Sequence, residues 1–267
     1  MDVNPVKAKL AQKLPSLGTW SASGDPSVIE TLLHTTEFDW VTLDFEHNAI
    51  DVSTAVHCLR AGNGSGKPMF ARIPSNDPIW VKRVLDIGFT GIVVPDVKDE
   101  EEAERAVVAA KYRPRGLRGI GSTRGQLVYG SNYYENANDL IMVVCMIEDW
   151  RAVDRIDKIM EVPDLDVCFV GPNDLASTLG VPTGLDNKHP DHIKAVETVV
   201  AAGKRHGVAT GIHCIDGTEA ARRIQQGMTW FPIASDVRLL KSAVDTELAN
   251  VVSGSGGDGD DDNATFY

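Results

Sequence analysis

The sequence predicts an α/β chain folded as a (β/α)8 barrel. Short apolar runs with strand character alternate with helix-period segments eight times, the pattern of repeated βα units. The chain has 267 residues, 43% of them hydrophobic, close to the ~250 that one barrel domain uses. The rival architecture, a doubly wound open sheet, would need fewer strands and usually carries a glycine-rich phosphate loop. No G-x-G-x-x-G follows the first strand.

Each element has a local reason. Residues 1–14 read as a short amphipathic helix ending at Pro15, and Leu17–Trp20 as the first strand. Helical spacing runs from Pro26 to His34, and Trp40–Phe45 is the second strand, followed by Glu46 and His47. Asp51–Gly62 is helical, with Val52, Ala55, Val56 and Leu59 on one face. Pro68–Ile73 is the third strand, and Asp77-Pro78 opens a helix with Pro in its first turn. Gly91–Pro95 is the fourth strand. Asp99–Tyr112 is a helix whose acidic start and basic end suit the helix dipole.

A long connection, Pro114 to about Asn138, reads as a functional or interface loop. Leu140–Ile147 is the fifth strand and delivers Glu148. Trp150–Met160 reads as one helix, Val167–Val170 as the sixth strand and Gly180–Pro190 as a second loop. Asp191–His206, Val208–Ile212, Gly217–Gln226, Thr229–Ile233 and Asp236–Val251 complete the alternation. No internal repeat occurs. The expected organisation is one barrel domain with its N-terminal helix over 1–252, then an acidic, glycine-rich tail over 253–267 expected to be disordered.

Composition excludes several function classes. No apolar run approaches a membrane span, and the N-terminus has no apolar signal core. Cys58, Cys145, Cys168 and Cys214 are widely spaced, three of them inside apolar runs. That suggests reduced, buried thiols and a cytoplasmic protein. The formal charge of −12, from 38 acidic and 26 basic residues, disfavours nucleic acid and anionic membranes as partners. It also suits a halophilic protein, because salt screens the self-repulsion of an acidic surface. Full activity and stability in low-salt buffer would refute that reading.

In this fold the active site lies at the carboxyl ends of the strands. His47, Arg72, Glu148 and Asp174 each fall at or just after the end of a different strand. Glu148 and Asp174 come from neighbouring strands, so their carboxylates can converge on a hard cation such as Mg²⁺ or Mn²⁺. Asp174 can equally be read as the cap of the next helix. Arg72 can hold an anionic or enolate oxygen in its planar fork, or serve only in a salt bridge. His47 can shuttle a proton near neutral pH, or be structural. Asp44 can orient His47, or be a buried acceptor. His213, at the end of the seventh strand, is expected to line the pocket at most. A metal, an Arg and a His around one pocket suit chemistry α to a carbonyl. No lysine sits at an obvious strand end for a Schiff base.

Five stretches carry a resemblance: Asp39–His47 (DWVTLDFEH), Phe70–Pro78 (FARIPSNDP), Leu85–Pro95 (LDIGFTGIVVP), Tyr112–Ser122 (YRPRGLRGIGS) and Phe169–Gly180 (FVGPNDLASTLG). In this order and spacing, over about residues 15–250, the chain resembles the HpcH/HpaI family of metal-dependent class II aldolases. These act on 2-keto-3-deoxy and 4-hydroxy-2-oxo acids. The resemblance implies a modified barrel in a homo-oligomer, a hexamer of domain-swapped pairs. It implies Glu148 and Asp174 as ligands of Mg²⁺ or Mn²⁺, with Co²⁺ a third option. It also implies Arg72 on the ketoacid oxygen and on the pyruvate enolate that the metal helps stabilise. His47 would be the acid/base group, supported by Asp44 or Asp86. The backbone of Gly171, Pro172, Asn173 and Asp174 would hold the carboxylate. The loop carrying Arg118 would close the site near a neighbouring subunit.

Three departures stand out. Met146 replaces the Gln usual two residues before the metal-binding Glu, Phe45 replaces a Gly, and Asn173 stands where Ala or Ser is common. The expected reaction is reversible retro-aldol cleavage of a 2-keto-3-deoxy acid into pyruvate and an aldehyde (EC 4.1.2.-). Two rivals remain: a lyase of malyl- or citryl-type CoA thioesters, and a non-catalytic barrel that binds a small acid. The acidic composition argues against a groove for CoA phosphates.

Overall fold

A computed structural model describes residues 3–254; the last helix runs on to Gly254 and so takes in the first two residues of the expected tail, the rest of which lies outside the described residues. Eight parallel strands close in sequence order into a barrel. They are β1 (Ser16–Ser21), β2 (Trp40–Asp44), β3 (Met69–Arg72), β4 (Gly91–Val94), β5 (Met142–Ile147), β6 (Val167–Val170), β7 (Ala209–Ile212) and β8 (Trp230–Ser235). The open-sheet alternative is thereby excluded.

Side-chain parity divides each strand between two cores. Along β5, Met142, Val144 and Met146 point into the barrel, while Val143, Cys145 and Ile147 pack against the surrounding helices. The same two-residue period puts Trp40, Phe70, Val93, Phe169 and Trp230 inside. Trp40 and Trp230 stack at 4.3 Å with planes 4° apart. Gly18, on the strand between them, permits this, since a Cβ there would meet the Trp40 ring at 2.2 Å.

Helix α1 (Pro5–Ala11) closes the bottom of the barrel. Val6 joins the inner core, and Asn4, fully buried, donates to the Leu140 carbonyl at 3.0 Å. The outer helices are α2 (Pro26–Thr35), α3 (Val52–Ala61), α4 (Pro78–Asp86), α5 (Glu100–Ala110), α6 (Thr123–Tyr129), α7 (Tyr133–Leu140), α8 (Trp150–Asp154), α9 (Ile156–Met160), α10 (Pro172–Thr178), α11 (Pro190–His206), α12 (Gly217–Gln226) and α13 (Asp236–Gly254). Six of them start on an Asp whose carboxylate accepts first-turn N–H groups: Asp25, Asp51, Asp77, Asp99, Asp149 and Asp216.

Two expectations are corrected. The connection after Pro114 is not one loop: it holds α6 and α7, whose Tyr129, Tyr133 and Tyr134 form an aromatic cluster with Tyr112. Its Arg, Gly, Asn and Tyr content hid the helical period. The helix expected over Trp150–Met160 breaks at Arg155, whose ψ of 11° leaves the helical range, into α8 and α9. All four cysteines are buried free thiols. Among the described residues no helix is long and apolar enough to cross a membrane.

Candidate active site

The inward parity that builds the core continues one step past it. Thr42 and then Asp44 follow Trp40 on β2, Arg72 follows Phe70 on β3, and Glu148 follows Met146 beyond β5. Each site side chain is thus the next inward position above the last layer of apolar filling. Together with His47, Asn173, Asp174 and His213 they line a cavity of about 270 Å³ at the carboxyl end of the barrel.

Asp44 and Arg72 lie in register on β2 and β3 and pair in a two-point fork, with Nε–Oδ1 and Nη2–Oδ2 both 2.8 Å. Burial pushes the Asp44 carboxyl up, but the guanidinium outweighs it and holds the group below the ordinary carboxylate value. The third Arg72 nitrogen, Nη1, stands 3.2 Å from Glu46. The guanidinium lies over the Trp20 ring, 4.6 Å from its centroid. Arg72 is therefore fixed on three sides before any ligand arrives.

Asp44 does not orient the His47 ring. Its Oδ1 accepts the backbone N–H groups of Glu46 and His47, which shapes the turn. The exposed His47 ring has Glu46 beside it, at 3.5 Å. Burial raises the Glu46 carboxyl above its ordinary value, and the neighbouring Arg72 and His47 only partly offset this. Glu46 was not singled out in the sequence, although its place between Asp44 and His47 at a strand end was the available signal.

Glu148 is buried, with Oε1 accepting the Asp96 N–H at 2.7 Å. Burial first, then the like charges of Glu46 and Asp174, pushes its carboxyl up to about 7. Gly171 makes room for it, because a Cβ there would come within 2.4 Å of Glu148 Oε2. Asp174 is not the cap of the following helix. Gly171 caps α10 without a side chain, and Asp174 sits in the first turn. That leaves its carboxylate free of the capping duty the sequence allowed.

The donor set fits a divalent cation. Carboxylates from neighbouring strands face one cavity, and their mutual repulsion is what a cation relieves. Among the described residues no three His, Cys, Asp or Glu side chains could enclose an ion. An ion held by Glu148 and Asp174 would leave positions for water and ligand oxygens, as Mg²⁺ does.

Two expected members do not reach this cavity within the chain. Asp86 ends α4, and its helix has carried the chain back to the amino end of the barrel. There Asp86 pairs with Arg118 at 2.6 Å, and the buried Arg118 guanidinium stacks on Tyr112. Asp86 thus does not support His47, nor does Arg118 close the site, in the same chain. The cavity does gather His47, Arg72, Asp44, Glu148, Gly171, Pro172, Asn173 and Asp174. It adds Trp20, read from the sequence only as part of a strand, and Met146, which puts a thioether where an amide was expected.

Comparison with known proteins agrees with this geometry. The HpcH/HpaI aldolase/citrate lyase family profile matches residues 16–243. A 5-keto-4-deoxy-D-glucarate aldolase of Shigella boydii serotype 18 is 37% identical over 243 residues, 90% of this chain and 93% of its own. The crystal structure of an HpcH/HpaI aldolase/citrate lyase family protein from Burkholderia cenocepacia J2315 is similar at a TM-score of 0.86 and 32% identity, covering 94% of this chain and all of that one. A more distant barrel, the citrate lyase beta subunit of M. tuberculosis complexed with oxaloacetate and magnesium, shares the fold at a TM-score of 0.60 and 15% identity, over 86% of this chain and 95% of that one. The chain belongs to the HpcH/HpaI aldolase/citrate lyase family and is an aldolase-type carbon–carbon lyase.

Proposed function

We propose that the enzyme cleaves a 2-keto-3-deoxy-4-hydroxy acid reversibly into pyruvate and an aldehyde, with a sugar-derived diacid as its substrate. The observation that carries this is the single cavity where a pre-oriented Arg72 faces the Glu148–Asp174 pair. The relative named for 5-keto-4-deoxy-D-glucarate supports the diacid. Numbered from its keto end, that compound is a 2-keto-3-deoxy-4-hydroxy acid. Breaking the bond between the methylene and the hydroxyl-bearing carbon leaves pyruvate and 2-hydroxy-3-oxopropanoate.

Glu148 and Asp174 would hold Mg²⁺ or Mn²⁺, and the ion, when bound, supplies Lewis-acid polarisation of the keto group. Arg72 donates to the keto oxygen and stabilises the negative charge that grows there as the bond breaks. Its fork to Asp44 fixes it, so little reorganisation accompanies the reaction. His47, beside Glu46, takes the proton from the substrate hydroxyl and returns one to the pyruvate methylene. The backbone around Gly171–Asp174 offers N–H groups to the substrate carboxylate. We place the enzyme in the cytoplasm as a homo-oligomer. The acidic composition, which suits a high-salt medium, argues against a basic groove for a CoA thioester and so favours the free acid.

The test is a panel of 2-keto-3-deoxy acids with pyruvate detection, in Mn²⁺ and in excess chelator. No pyruvate from any member, or no effect of chelator, sinks the proposal. Glu148→Gln keeps the shape of the side chain and removes its charge. It should lower kcat/KM by about 100-fold or more and weaken Mn²⁺ binding measured by calorimetry. Retained activity refutes the ligand role.

A further inference from the structure

The wall of the cavity across from Arg72 holds a group that the reaction above does not use. The Trp20 indole N–H donates to Nδ1 of His213 at 2.7 Å. An indole N–H can only donate, so Nδ1 carries no proton, and a neutral imidazole must then carry its proton on Nε2. Burial first, then the charges of Arg72 and Arg238, drives the imidazole down to about 4, so the ring is neutral at physiological pH. Nε2 has no hydrogen-bond partner among the described residues. The ring is packed by protein on most sides yet keeps some open surface, and it lines the cavity. Its tautomer is set by the protein rather than by the ligand.

Position indicates which part of a ligand it meets. His213 follows β7, while the groups proposed to grip a keto acid end β3 or follow β5 and β6. The Trp20 ring stands between, 4.6 Å from the Arg72 guanidinium and 6.2 Å from the imidazole. A keto oxygen held at Arg72 leaves His213 to the other end of the molecule.

We infer that His213 is a specificity-determining residue, whose Trp20-fixed Nε2–H donates to a hydroxyl or carboxylate oxygen on the aldehyde half of the substrate. This rests on the aldolase reading above and deepens it. An apolar aldehyde would strip water from Nε2–H and return no acceptor, which is how a polar site rejects a substrate that lacks the matching oxygen. Selection for hydroxy-acid aldehydes is thus achieved without a second cation, which would also attract unrelated anions.

The test compares two acceptors in the condensation direction with pyruvate, 2-hydroxy-3-oxopropanoate and propionaldehyde. His213→Leu should lower the ratio of their kcat/KM values by at least about 10-fold, mainly through KM for the hydroxylated acceptor. His213→Asn, which keeps a donor, should recover part of the ratio. Equal effects on both acceptors, or none, overturn the inference. A second measurement needs no turnover. The nitrogen-15 spectrum of the imidazoles should show His213 as the neutral Nε2–H tautomer, lost in Trp20→Phe, with an Nε2 shift on adding tartronate but not propionaldehyde, which offers neither a hydroxyl nor a carboxylate oxygen. An Nδ1–H tautomer, or no response to tartronate, overturns it. If wild-type enzyme condenses no acceptor, the aldolase reading fails by itself, and the tartronate titration still decides the role of His213.

Discussion

Arg72 shows how one residue is prepared for chemistry by its neighbours. Asp44 takes two of its nitrogens, Glu46 faces the third, and Trp20 supports the plane from below. Such a group has few rotamers left to lose on binding substrate. His213 is prepared in the opposite sense, kept neutral and aimed by an indole. Its burial carries a stability cost in acid. In the unfolded chain an imidazole titrates near 6.5, whereas in the fold His213 titrates at about 4. Above pH 6.5 both states are neutral and the fold keeps its full stability. As pH falls from 6.5 towards 4 the unfolded chain takes up a proton that the folded chain refuses, and stability drops. The shift sets an upper bound of about 3 kcal/mol on this loss. Chemical denaturation between pH 7 and 4 should show His213→Leu less acid-sensitive than wild type over this window. An identical slope for the two proteins excludes the linkage.

At the scale of elements, the strands were legible because they are short apolar runs bounded by turns, and their number fixed the barrel. Parity was legible as well. Arg72 and Glu148 are one inward step above Phe70 and Met146, and that step can be counted in the sequence. What could not be counted was anything set by tertiary contact. The fates of Asp86 and Arg118 depend on α4 returning the chain to the far end of the barrel. The pairing of Trp20 with His213 joins residues 193 positions apart. Helix α13 was legible as a helix, but the apolar stripe it leaves exposed beyond its contacts with β1 and β8 was not. Val237, Leu240, Val244, Leu248 and Val251 follow helical spacing and are all exposed. In the homo-oligomer we propose, this stripe is the face to cover. Leu240→Glu with Leu248→Glu should lower the mass measured by analytical ultracentrifugation and leave the far-UV spectrum of the barrel unchanged. An unaltered mass shows that assembly uses another face.

The whole molecule carries 38 acidic residues against 26 basic ones, but the excess is not all surface decoration. Six aspartates open helices and would be needed in any solvent. Three further acids, Asp44, Glu148 and Asp174, line the cavity at the carboxyl end of the barrel. Composition therefore overstated how much charge answers to salt, and the sequence could not separate the two uses before the caps and the site had been located. The remainder still repels itself. If the protein is adapted to salt, its thermal midpoint should rise by several degrees between ~0.1 and ~2 M KCl, because the Debye length falls from about 10 Å to below 3 Å. A midpoint that is highest in dilute buffer refutes the adaptation.

The stacked indoles of Trp40 and Trp230 give the barrel an optical property. Two indoles stacked 4.3 Å apart couple their transitions, and an in-plane twist between the two rings turns that coupling into a circular-dichroism couplet. One indole belongs to the second strand and the other to the eighth, so they meet only when the first strand is seated between them and the ring is closed. During refolding the couplet would report the moment of closure, separately from helix formation, with no label added. Gly18, whose missing side chain allows the stack, is thus also what makes closure visible.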